Sequence, residues 1–150
     1  MNLTSGHKME LLTIGYEKRS IEPFIEALVA HDVQTLVDVR ELPRSRKRGF
    51  SKTSLEEALK KAGIDYLHVR AVGNPKKIRK AEAPTNEILS RYERHMRGRW
   101  DEALEPMKEL LPSSRLCLMC YERSASECHR SFVAEELAER YDEIDIVNLD

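Results

Sequence analysis

Short apolar runs take turns along the whole chain with stretches whose apolar residues recur every three or four positions, and this alternation restricts the fold more than any other feature. Leu11-Leu12-Thr13-Ile14, closed by Gly15, reads as a strand, and Ser20 then offers an N-cap to a helix over 21–31 with Ile21, Phe24, Ile25 and Leu28 on one face. Thr35–Val39 is a second strand, apolar enough on both sides for a parallel sheet. Thr53 and Glu56 have the spacing of a capping box and predict a helix that Gly63 ends. A third strand over 64–69 follows, then a basic connection from Arg70 to Pro84 with a turn at Gly73-Asn74-Pro75. Two helices near 86–96 and 100–111, a fourth strand over 115–120, a helix over 130–141 and a closing strand over 145–149 complete the pattern.

Strands alternating with helices predict an α/β fold: a single domain with a mostly parallel sheet of about five strands and helices on both faces. Residues 1–10 show no periodicity and are expected to form a flexible N-terminal extension, leaving 11–150 as the domain. In a parallel sheet the carboxyl ends of all strands share one edge, and ligands bind there. That edge is expected to gather Tyr16 to Arg19 after the first strand, and Asp38, Arg40, Arg44 and Ser45 after the second. Arg70 and Asn74 follow the third strand; Glu122, Cys128, His129 and Arg130 follow the fourth.

Length and charge narrow the field further. A chain of 150 residues can bury a core without disulfides or a structural metal. No apolar run approaches the roughly 18 residues of a membrane span, so no membrane partner is expected. Three cysteines within twelve positions do not make the even framework of a secreted protein; a reducing, cytoplasmic setting is expected. The net charge of −1 hides an asymmetry: residues 40–99 carry 17 Lys and Arg against 7 Asp and Glu, and the rest of the chain carries 8 against 19. Such a block attracts phosphates if folding gathers it on one surface. Arg44-Ser45-Arg46-Lys47-Arg48-Gly49-Phe50 mixes cations with an aromatic, and Arg91, Arg94 and Arg97 repeat at helical spacing.

The stretch that concentrates chemistry is Leu116-Cys117-Leu118-Met119-Cys120-Tyr121-Glu122, followed by Cys128-His129-Arg130 at a predicted helix start. Outward-facing N–H groups there favour a thiolate or a bound anion, which suits Cys128 as a nucleophile and His129 as a proton carrier. Arg130 opposes the helix dipole unless Glu122 or a ligand phosphate answers it. Asp38 is read as a general base, a metal carboxylate or a ribose-hydroxyl acceptor, or else as a loop cap paired with Arg40 or Arg44. Cys117-x-x-Cys120 with Cys128-His129 has the composition of a zinc set. Residues three apart in a strand point to opposite faces about 10 Å apart, however, so no metal and no cofactor is expected.

Thr13-Ile14-Gly15, Leu36-Val37-Asp38-Val39-Arg40, Pro43-Arg44-Ser45-Arg46, Tyr66-Leu67-His68, Cys120-Tyr121-Glu122 and Cys128-His129-Arg130 together resemble the family known as domain of unknown function 488, over roughly residues 11–149. The resemblance implies a compact α/β domain with its shared polar residues on one sheet edge, namely Asp38, Arg40, Cys120, Glu122, Cys128, His129 and Arg130. It implies no reaction. Tyr16-Glu17 stands where the family pattern has His-Ser, and Gly73-Asn74 where it has Gly-Gly. A weaker likeness to rhodanese-like domains rests on Val37-Asp38-Val39-Arg40 alone.

The expected function is binding of a phosphate-bearing small molecule or nucleic acid at the sheet edge. In this reading Arg40, Arg44 and Arg130 hold phosphate beside Cys120, and Cys128, Glu122, His129 and Asp38 carry out any catalysis. A non-catalytic nucleic-acid-binding or regulatory module is the first alternative. A thiol redox or sulfur-handling protein using Cys120 and Cys128 is the second.

Overall fold

In a computed structural model, which describes residues 9–141 and 143–150, five strands form one sheet in the order β3-β2-β4-β1-β5 with every neighbouring pair parallel. The strands are β1 (Met9–Gly15), β2 (Thr35–Asp38), β3 (Asp65–His68), β4 (Leu116–Cys120) and β5 (Ile144–Leu149). The helices are α1 (Ile21–Ala30), α2 (Lys52–Lys61), α3 (Lys76–Arg79), α4 (Thr85–Met96), α5 (Trp100–Leu110) and α6 (Arg130–Arg140). The chain is thus α/β, and its sheet is wholly rather than mostly parallel.

Alternation along each strand divides the core in two. Phe24 and Leu28 of α1 and Leu55 and Leu59 of α2 pack with Leu12, Ile14, Leu36, Cys117 and Met119 on one face of the sheet. Tyr92 and Met96 of α4, Leu104 and Met107 of α5, and Val133 and Leu137 of α6 pack with Leu11, Val37, Leu116, Leu118 and Cys120 on the other. The helices after β1 and β2 therefore cover one face, and those after β3 and β4 cover the opposite face. Because β4 lies between β2 and β1, the chain leaves adjacent strands in opposite directions there, which opens a crevice above their carboxyl ends.

Several sequence expectations need correction. Strand β1 begins at Met9, taking in two residues assigned to the extension, because Met9 and Glu10 pair with Ile144 and Asp145 of β5. Residues 1–8 of that extension lie outside the described residues. Helix α2 begins before the predicted capping box: Ser51 is its N-cap, and Thr53 is already helical. The Ser51 hydroxyl instead accepts from Ser45 N and donates to Ser45 O, both at 3.0 Å, and so ties down the basic loop. The connection from Arg70 to Pro84 contains a 3-10 turn at Arg70–Val72 and helix α3, with Ile78 buried.

Candidate functional site

The crevice holds a cavity of about 550 Å³. Tyr16 after β1, Arg40 and Arg44 after β2, and Cys120 and Glu122 at the end of β4 contribute to its lining. Asn74, Lys80 and the first turns of α4 form the facing wall. The ends of β1 and β4 stay together past the strands through Tyr16 N to Cys120 O (3.1 Å) and Glu17 N to Tyr121 O (2.8 Å). Gly15 permits this approach, since a Cβ there would lie 1.7 Å from the Glu122 carbonyl oxygen.

Under the cavity lies a saturated ion pair. Asp38 Oδ1 accepts from Arg40 N (3.1 Å) and Nε (2.9 Å), and Oδ2 accepts from Arg40 Nη2 and Tyr66 OH, both at 2.7 Å. Arg40 Nη1 donates to Phe50 O (2.8 Å) and Tyr16 OH (3.3 Å). Burial works against the Arg40 charge, but the hydrogen bonds and charge of Asp38 outweigh it and hold the guanidinium protonated. Burial and the Asp38 charge push the Tyr66 phenol up, so it keeps the proton it donates. His68 Nε2 contacts Arg40 O at 2.7 Å and pins the same turn. Of the sequence readings of Asp38, this geometry matches the pairing with Arg40. Every Asp38 lone pair that a general base would use is already occupied.

The second cluster joins β4 to α6. Cys120 Sγ lies 3.8 Å and Cys128 Sγ 3.9 Å from His129 Nδ1, and the three atoms are all within 4.8 Å of one another. His129 Nε2 is 2.8 Å from Val39 O; a carbonyl only accepts, so Nε2 carries a proton, and the neutral tautomer this contact selects has its Nδ1 lone pair toward the sulfurs. Tyr92 packs edge-on against the imidazole at 5.0 Å between ring centres. Arg130 N donates to Cys128 Sγ at 3.5 Å. Burial pushes the Cys128 thiol well up, and Cys120 beside it adds to the shift, so Cys128 rests protonated despite the helix start. Cys117 lies on the opposite face of the sheet, as strand geometry requires, and burial raises its thiol as well.

Arg130 is fully buried, and its Nη1 and Nη2 donate to the Glu122 and Arg123 carbonyls; Nε has no partner among the described residues. Backbone oxygens rather than the Glu122 carboxylate thus meet its guanidinium. The structure brings Arg40, Arg44, Cys120, Glu122 and His129 to the cavity wall, and places Asp38, Cys128 and Arg130 behind it. Arg44 and Lys80 at the cavity have no carboxylate partner among the described residues, whereas Arg79 pairs with Glu41 at 2.8 Å. Asn74 is 6% exposed and its Oδ1 has no hydrogen-bond partner among the described residues. Sequence reasoning missed Tyr66 as the partner of Asp38, and Lys80 and Glu127 as cavity residues. Only the alternation of Tyr66 with His68 along β3 hinted at the first, by placing both on one side of the strand.

No curated protein and no solved structure matches the chain. The sequence pattern of the family described as domain of unknown function DUF488 matches residues 20–137, from the threshold of α1 to the last turns of α6, and spans every candidate residue from Asp38 to Arg130. With well over half of its length matched, the chain belongs to the DUF488 family.

Proposed function

We propose that the cavity binds a small phosphate-bearing molecule of nucleotide size. The observation that carries this reading is the meeting at one cavity of Arg44 and Lys80, which have no carboxylate partner among the described residues, with the buried Asn74, whose Oδ1 has no hydrogen-bond partner among them. Unanswered cations attract phosphate oxygens, and a buried amide acceptor without a partner costs free energy that a ligand hydroxyl or amino group would recover. The volume suits a mononucleotide, and Tyr16, Leu42, Ile88 and Leu89 supply an apolar wall for a ring. Glu122 is a cavity carboxylate placed to exchange protons with such a ligand.

A groove for a long polyanion has less support. Arg91 and Arg94 of α4 both turn to Glu87, Arg48 faces Glu22, and Lys47 Nζ donates to Tyr16 O. Part of the basic block is therefore neutralised or engaged within the fold itself.

The test is calorimetric titration with pyrophosphate and with mononucleotides at low salt. Binding to the unmodified chain, weakened about tenfold or more in Arg44→Ala and again in Lys80→Ala, is the expected result. Absence of binding, or affinity unchanged in the double variant, overturns the reading.

A further inference from the structure

We propose that Cys120 Sγ, Cys128 Sγ and His129 Nδ1 form a binding site for a divalent transition metal ion of the zinc class, with the uncovered side of the ion facing the cavity. A tetrahedral zinc ion places thiolate sulfur and imidazole nitrogen about 3.6 Å apart, and the two sulfur-to-nitrogen distances here are 3.8 and 3.9 Å. All three donors lie within 4.8 Å of one another and are buried, so a small inward movement closes them on an ion. Two thiolates and an imidazole are a soft donor set that selects zinc over calcium or magnesium.

The surroundings are those of a metal ligand set rather than of loose core residues. The Val39 carbonyl holds the far nitrogen of His129, which fixes the tautomer that leaves Nδ1 free to bind. Tyr92 fixes the ring plane, and Arg130 N–H supports the Cys128 sulfur. Binding releases the two thiol protons to solvent, and the divalent ion with two thiolates and a neutral imidazole is neutral overall, as a buried site requires. A Cys120–Cys128 disulfide, the competing use of the same sulfurs, would leave Nδ1 of a buried imidazole without a partner. Three protein ligands leave one tetrahedral position, and because Cys120 and His129 also line the cavity, that position opens into it. The metal site stands independently of what the cavity binds.

The experiment is cobalt(II) loading of the full, reduced, chelator-treated chain, with zinc content of untreated protein measured in parallel. The proposal expects one ion per chain, the intense visible bands of tetrahedral cobalt and a thiolate-to-cobalt charge-transfer band. These bands should disappear in Cys128→Ser and persist in Cys117→Ala. Affinity in Cys128→Ser should fall by more than the roughly 100-fold that loss of an outer-shell partner costs. Should Cys128→Ser fail to fold by circular dichroism, competition of unmodified protein with a chromophoric chelator decides the matter. No uptake by the reduced unmodified chain, bands unchanged in a folded Cys128→Ser, or an intact mass two hydrogens lower in a protein that takes up no cobalt after reduction overturns the proposal.

Discussion

Asp38 and Arg40 show how two side chains that a sequence offers as a general base and a phosphate ligand can bind each other in the fold. Asp38 is fully buried, and its two oxygens accept four hydrogen bonds. Breaking a buried pair by removing one charge strands the other, which costs about 3–5 kcal/mol. Asp38→Asn should therefore lower unfolding free energy by about that amount in urea titration, and Tyr66→Phe by about 1 kcal/mol. An Asp38→Asn protein as stable as the unmodified chain would return Asp38 to the ligand-handling residues. The cysteines make a second residue-level case. Cys128 is 1% exposed and its thiol is pushed up by burial, so iodoacetamide at neutral pH should modify it far more slowly than a free thiol, and at the free rate only after denaturation. Labelling of the native chain at the free-thiol rate would restore the nucleophile.

Loops between elements hold the site, and their anchors differ from those the sequence advertised. Helix α2 takes its start from Ser51, whose hydroxyl bridges back to Ser45. Thr53→Ala should leave stability within about 0.5 kcal/mol of the unmodified protein. Ser51→Ala, which strands two backbone groups of the basic loop, should cost about 1 kcal/mol and weaken ligand binding through Arg44. Equal effects of the two substitutions on thermal unfolding would reinstate the predicted box. The β1 end depends on Gly15 in the same way: Gly15→Ala drives a Cβ into the Glu122 carbonyl and should cost about 3 kcal/mol, measured by denaturant unfolding.

For the molecule as a whole, the question is which cations of residues 40–99 the fold itself engages. Glu41 and Glu87 answer Arg70, Arg79, Arg91 and Arg94 locally, while Arg44 and Lys80 stand at the cavity without a carboxylate partner among the described residues. A single-stranded oligonucleotide using only those two cations should lose about sevenfold in affinity over a roughly fourfold rise in salt. A continuous basic groove with six contacts would lose roughly several hundredfold, and fluorescence anisotropy across that range separates the two. The sheet, its helices on both faces and the gathering of polar residues at one edge were legible in the chain, because apolar periodicity and parallel geometry leave few alternatives for Thr35–Asp38 or Leu116–Cys120. The separation of Cys117 from Cys120 was legible for the same reason: successive strand residues face opposite ways. Partnerships were not. That Asp38 spends its charge on Arg40 and Tyr66, that Arg130 turns to carbonyls, and that Cys120, Cys128 and His129 meet while Val39 holds the ring depend on contacts between segments far apart in sequence. Local patterns encode which face a side chain takes; only the packing of one strand end against another sets which group it meets there.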